Sequence, residues 1–273
     1  MSRPDDPIGF FDSGVGGLTI LREAIKALPN EEIVYLGDTA RLPYGNKSPS
    51  TIIRYTLENV SFLMERKIKL LIVACFTASS YALETLEERL SIPVIGVIQS
   101  GCDELIRTTQ SGRVAVLGTS STIRSGIIQS LIQTQAPNAA VFPIACPLFV
   151  PFIEEGLVDH PALKLIAKHY LDCLKTQEVD AALLACTHYP LIRTAIQEEL
   201  GPGVKLVESA ACCARKAKEW LFAKGLLNPG NGKPKHRFFA SDDPEKFRRL
   251  TNQFFGAEIT EIGVLPVVKN KNL

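Results

Sequence analysis

Leu71-Ile72-Val73-Ala74-Cys75-Phe76-Thr77 is a short apolar run that ends on a cysteine, and Ala182-Leu183-Leu184-Ala185-Cys186-Thr187 repeats that arrangement in the second half of the chain. Each run has the length and apolar content of a strand buried on both faces. Outward from these two, further apolar or β-branched runs predict strands near residues 8–11, 32–36, 93–97, 113–117, 139–143, 204–207, 237–240 and 258–262, besides 70–74 and 181–185 themselves. Helical periodicity fills the gaps at 18–28, at 49–65 behind a Ser48 cap with proline in the first turn, at 78–90, at 123–133 and at 244–254 after Asp243. Alternation of this kind, with short connections, is the pattern of parallel α/β construction.

A second pair of loops repeats as well. Ile8 to Phe11 leads into Asp12-Ser13-Gly14, and Val114 to Leu117 leads into Gly118-Thr119-Ser120-Ser121. The two pairs recur at nearly the same offset, which predicts two similar α/β units in tandem. Ligands of parallel α/β units collect at the carboxyl ends of the strands, where all four loops lie. If the units face each other, the two cysteines meet across a cleft.

The composition fits. A chain of 273 residues accommodates two domains of ordinary size, and 46% apolar with 22% charged residues is the make-up of a soluble globular protein. A net charge of +1 gives no sign of nucleic acid or a membrane as partner, so a small-molecule site is the default. Met1 to Pro7 has none of the marks of a signal peptide, and the apolar stretch from Leu70 to Phe76 is far too short to span a bilayer; a cytoplasmic protein is expected. The seven cysteines form an odd set without repeated CxxC spacing; most are expected to be free thiols, each by default a small buried hydrophobe.

Cys75 and Cys186 invite a different reading. A cysteine between a strand and a helix sits where unpaired N–H groups and the helix dipole favour an anion, which predicts a thiol pKa lowered from about 8.5 into the range of about 3.5 to 7.5. The same N–H groups suit a substrate carboxylate. Two thiols of similar basicity match the symmetry of racemisation, which needs a base on one face of an α-carbon and an acid on the other. Asp12 and His188 are candidates to move or orient the protons, against the plainer readings of a helix cap and a structural histidine. Three other constellations compete. Gly14-Val15-Gly16-Gly17-Leu18-Thr19 begins like a dinucleotide loop but has Thr19 at the third glycine. Cys186-Thr187-His188 offers two zinc ligands without a second close pair. A Cys-His hydrolase is chemically reasonable but leaves the second Cys-Thr loop unexplained.

Five segments in order resemble glutamate racemases of the aspartate/glutamate racemase superfamily, over nearly the whole chain: Gly9 to Gly17, Gly37-Asp38-Thr39-Ala40-Arg41-Leu42-Pro43-Tyr44-Gly45, Val73 to Ser79, Cys146-Pro147-Leu148-Phe149-Val150-Pro151 with Glu154, and Cys186-Thr187-His188-Tyr189-Pro190. The resemblance implies that Cys75 deprotonates D-glutamate and Cys186 deprotonates L-glutamate, with Asp12, Glu154 and His188 assisting. It implies a substrate pocket of Ser13, Pro43, Tyr44, Gly45, Phe76, Thr77, Thr122 and Thr187, no pyridoxal phosphate and no metal. It implies two pseudo-symmetric α/β domains with mostly parallel central sheets and the active site in the cleft between them, the first of residues 1–97 with 208–273 and the second of 98–207. Homodimers are frequent in the family, and its D-glutamate supplies peptidoglycan.

The chain departs from the family at Phe76, where members normally carry an asparagine that helps bind the substrate's polar head. Phe76 either reshapes the pocket or packs away from it. Racemisation of aspartate or another acidic amino acid, and a catalytically weak ligand-binding relative, therefore stand beside glutamate racemisation. Glu154 is favoured over Glu155 to face the cleft by its spacing from Pro151. The basic stretch Lys233 to Arg237 reads as a solvated loop.

Overall fold

The computed structural model describes residues 2–230, 232–255 and 262–265. Its strands are β1 (Ile8–Asp12), β2 (Ile33–Gly37), β3 (Leu70–Val73), β4 (Val94–Gly96), β5 (Arg113–Gly118), β6 (Ala140–Ala145), β7 (Ala181–Ala185), β8 (Lys205–Val207), β9 (Arg237–Ala240) and β10 (Ile262–Val264). Its α-helices are α1 (Leu18–Ala27), α2 (Pro49–Met64), α3 (Phe76–Arg89), α4 (Val97–Thr108), α5 (Ser120–Arg124), α6 (Ile127–Gln135), α7 (Phe149–Glu154), α8 (Pro161–Leu171), α9 (Arg193–Leu200), α10 (Ala210–Ala223) and α11 (Pro244–Phe255). The strand expected at 258–262 falls, up to residue 261, outside the described residues.

The strands form two sheets, ordered β10-β9-β2-β1-β3-β4 and β6-β5-β7-β8, and every described pairing is parallel. The repeat seen in the sequence is visible here: β2-β1-β3-β4 and β6-β5-β7-β8 have one order, so β1 answers to β5 and β3 to β7. Parallel strands place all their carboxyl ends on one edge, and Asp12, Cys75, Thr119 and Cys186 therefore sit at equivalent edges of the two sheets.

Local chemistry sets the helix ends. Ser48 accepts the Thr51 N–H and Pro49 opens α2, as its sequence predicts. The single helix expected at 123–133 is instead two, α5 and α6. Gly126 takes φ +69° and the ladder is interrupted there, because glycine meets no Cβ penalty in the left-handed region. One apolar cluster joins the sheets: Phe10 and Ile72 of the first, Val116 and Leu183 of the second, with Ile98 of α4 and Cys213 of α10. The carboxyl edges thus belong to one packed body.

At the opposite edge, Lys69 and Glu31 form a fully buried ion pair with Nζ 2.6 Å from Oε2. Lys69 also donates to the carbonyls of Pro4 and Leu226, and Glu31 Oε1 accepts the Asn228 N–H at 2.9 Å. This pair fixes the chain that returns from α10 to the first sheet. Truncating one member of such a pair leaves a buried charge uncompensated, so Lys69→Met should lower stability by about 3–5 kcal/mol in urea unfolding. Adding Glu31→Gln should recover part of that loss.

Candidate active site

Cys75 is the cap residue of α3. Its Sγ accepts the Ala78 N–H at 3.4 Å and lies 3.5 Å from Ser13 Oγ, on the loop after β1. Cys186 follows β7 directly, and the turn 186–188 leads into a 3-10 turn opened by Tyr189-Pro190 rather than into an α-helix. Both cysteines border one narrow cavity with Ser13, Pro43, Tyr44, Gly45, Phe76, Thr77, Thr187 and His188. Its volume of about 20 Å³ suits one water molecule. Glutamate is far larger than this space.

The other expected residues stand one layer back. Glu154, at the end of α7, holds His188 Nε2 at 2.7 Å, and His188 Nδ1 lies 3.9 Å from Cys186 Sγ. Asp12 is fully buried behind Ser13; its carboxylate accepts the Gly14 N–H at 2.9 Å and the Thr187 hydroxyl at 3.3 Å. Thr122 forms a triangle of hydroxyls with Thr77 and Thr119, each side 3.0 Å. Glu154 rather than Glu155 faces inward, since Glu155 is exposed and pairs with Lys246.

Thr119, Leu42 and Val150 line the cavity and were not among the expected site residues. Thr119 had a signal, because it occupies in the second half the place of Asp12 in the first. Leu42 and Val150 had none, being apolar residues among many. The Tyr44 hydroxyl is turned away from the cavity into a bond with Asp38, which leaves the backbone and ring of Tyr44 as what it can present to a ligand.

The Gly14 to Gly17 run is not a phosphate loop. A β-carbon on Gly16 would fall under 3.0 Å from His188 and Thr187, and one on Gly17 would strike Asp12. Gly16 lets the loop after β1 press against the loop after β7, and Gly17 lets that loop fold tightly over Asp12. Thr19 strengthens that contact, its hydroxyl shared between the Gly16 carbonyl at 2.8 Å and the Thr187 carbonyl at 3.2 Å. Among the described residues no group of three or more His, Cys, Asp or Glu side chains is placed to hold a metal, so Cys186 and His188 have no zinc set around them.

Burial dominates the electrostatics and reverses one expectation. The Cys75 thiol is pushed up to about 12 by desolvation and then by the Asp12 carboxylate; Ser13 and the Ala78 N–H oppose this but do not overcome it. Cys75 is therefore a neutral thiol in this closed state. Desolvation likewise raises Asp12 despite the His188 charge and the N–H groups of Gly14 and Gly17. For His188 desolvation acts downward, but the hydrogen bonds and charges of Cys186 and Glu154 outweigh it and hold the imidazole well above its ordinary value. These partners favour the protonated form of His188, which lies between Glu154 and the Cys186 sulfur.

The chain matches the Asp/Glu/hydantoin racemase family over residues 18–217. It is 50% identical over 259 residues to a glutamate racemase of Geobacter metallireducens, covering 95% of this chain and 96% of that one. A glutamate racemase isoform of Bacillus anthracis superposes with TM-score 0.93 at 36% identity, covering 97% and 99% of the two chains. The Francisella tularensis glutamate racemase in complex with D-glutamate superposes with TM-score 0.90 at 37% identity, covering 96% and 98%. A two-sheet parallel α/β fold with a thiol at each of two facing sheet edges defines the class, and this chain belongs to the Asp/Glu/hydantoin racemase family.

The raised His188 pKa fixes the sign of a pH effect. Between the ordinary histidine value of 6.5 and the raised native value, the unfolded chain gives up a proton that native His188 keeps. The native state then binds more protons, and stability declines as pH rises. Above the ordinary thiol value of 9.0, buried Cys75 adds a further decline for the same reason. The urea midpoint should accordingly fall between about pH 7 and 9 and fall faster beyond. His188→Asn should flatten the first part only; an unchanged slope there would mean a neutral imidazole in the fold.

Proposed function

We propose that this chain interconverts L- and D-glutamate by proton transfer between two thiols on opposite faces of the α-carbon. The observation that carries the reading is that Cys75 and Cys186, from equivalent strand ends of the two sheets, border one closed cavity with a different proton-handling group behind each. In the L to D direction, Cys186 acts as the base, its sulfur 3.9 Å from His188 Nδ1, and takes the α-proton to become a thiol. The neutral Cys75 thiol gives its proton to the other face and becomes the thiolate. The reverse direction exchanges the roles. Between turnovers the His188–Glu154 pair and Asp12 restore the starting protonation.

In this reading Ser13, Pro43, Tyr44, Gly45, Phe76, Thr77 and Thr187 contact the substrate, with Thr122 supporting Thr77 from behind; the placement of the first seven at the cavity wall supports it. The units 1–97 with 208–273 and 98–207 form the two sides of the cleft, in keeping with the strands each sheet draws on. All seven cysteines are free thiols, which suits a reducing cytoplasm, and no described helix is long and apolar enough to cross a membrane. The D-glutamate made would supply peptidoglycan.

Incubation with L-glutamate in heavy water should yield D-glutamate carrying α-deuterium. Folded protein that produces neither would sink the proposal, and full turnover by Cys75→Ser or Cys186→Ser would remove the two-thiol mechanism. Phe76 both borders the cavity and packs in the apolar cluster with Val15, Leu18 and Ile98, so it offers a ligand no side-chain hydrogen bond. Phe76→Asn should cost about 3–5 kcal/mol of stability as the ring leaves the core. The same variant should raise kcat/KM for glutamate about tenfold through the added amide. Absence of that gain would assign Phe76 to packing alone.

A further inference from the structure

The Asp38 carboxylate, just past β2, is fully buried and lies outside the cavity. Its Oδ2 accepts from Arg41 Nε at 2.7 Å, Asn59 Nδ2 at 2.9 Å and the Tyr44 hydroxyl, all from the cavity loop or α2. Its Oδ1 accepts from Ser241 Oγ at 2.7 Å, and Ser241 comes from the other end of the chain, on the turn after β9. The same Oγ accepts the Ala40 N–H at 2.9 Å, while the Ser241 N–H donates to the Gly37 carbonyl at 3.1 Å. Beside it, Thr39 Oγ1 accepts the Asp242 N–H at 2.9 Å and donates to the Asp242 carbonyl. Residues 38–40 are thus clasped from outside by 241–242.

That clasp bears on the cavity wall. The chain runs from residue 40 directly into Leu42, Pro43, Tyr44 and Gly45, which line the cavity. Gly45 packs so closely on Thr119 that a β-carbon would have no room. A displacement of this loop by a few tenths of an ångström therefore changes the fit of whatever the cleft encloses. The Tyr44 hydroxyl donates to Asp38 and accepts from the Asn59 amide, so the position of Asp38 is passed to the wall.

We propose that Ser241 is a positioning residue for racemisation: through Asp38 and Ala40 its hydroxyl sets the place of the cavity-lining segment 42–45 without touching the cavity itself. The proposal rests on the racemase reading above for its effect on turnover. Because the clasp bears on the wall and not on the two thiols, its loss is expected in KM more than in kcat.

Ser241→Ala should raise KM for both glutamate enantiomers about tenfold and leave kcat within about threefold, and Ser241→Thr, which keeps the hydroxyl, should restore most of the difference. Amide hydrogen exchange reads the same clasp without turnover: residues 39–46 should exchange about tenfold faster in Ser241→Ala, with 181–188 unchanged. Parent KM and parent exchange at 39–46 would overturn the proposal. So would a uniform rise in exchange with a proportional fall in kcat, which is the mark of general destabilisation. If the parent chain fails to racemise glutamate, the racemase reading falls on its own, and exchange at 39–46 still decides whether Ser241 holds the loop.

Discussion

The site depends on one close contact: the loop after β1 lies against the loop after β7 with nothing between them but the missing side chain of Gly16. The Thr19 hydroxyl, shared between the Gly16 and Thr187 carbonyls, and the Thr187 hydroxyl on Asp12 knit that contact together. It brings groups from the two halves of the chain within hydrogen-bonding range and buries them. Without it, Cys75 and Cys186 would belong to separate surfaces.

Burial explains the protonation pattern. In the open, a thiol capping a helix tends toward the anion. In the closed cleft, desolvation is larger than the pull of one N–H and a hydroxyl, and Cys75 keeps its proton. His188 differs because its two partners, Glu154 and the Cys186 sulfur, both favour the protonated imidazole and together outweigh the desolvation that opposes it. Similar strand ends thus become unlike halves of a proton-transfer system: a neutral thiol beside a buried carboxylate on one side, a sulfur beside an imidazolium on the other.

The outer framework holds these groups by buried polar hubs. Lys69 and Glu31 tie the returning chain to the amino edge of the first sheet, and Asp38 gathers the cavity loop, α2 and the turn after β9 at its carboxyl edge. Each hub joins segments far apart in sequence, and each is fully paired, as burial of a carboxylate requires. The turn after β9 is thereby tied to the segment that runs into the cavity wall.

By itself, the sequence determined the α/β class, nearly all strand positions, the internal repeat and the segments that carry the site. Strand length, apolar content and cap chemistry are local properties, and the motif residues announce themselves by type and order. It missed the break at Gly126, because a single glycine within a periodic stretch does not reveal the sign of its φ. It set the dinucleotide-loop reading of the Gly14 to Gly17 run aside at Thr19 but could not say what those glycines do, since the side chains that fill the space above Gly16 lie on the opposite loop. Only the tertiary structure decided that Leu42, Thr119 and Val150 line the cavity, that the Tyr44 hydroxyl turns to Asp38, and that Phe76 serves the core and the cavity wall together. It also decided the charge of the site, and for one reason: desolvation and through-space attraction depend on what the fold stacks around a group, not on its neighbours along the chain.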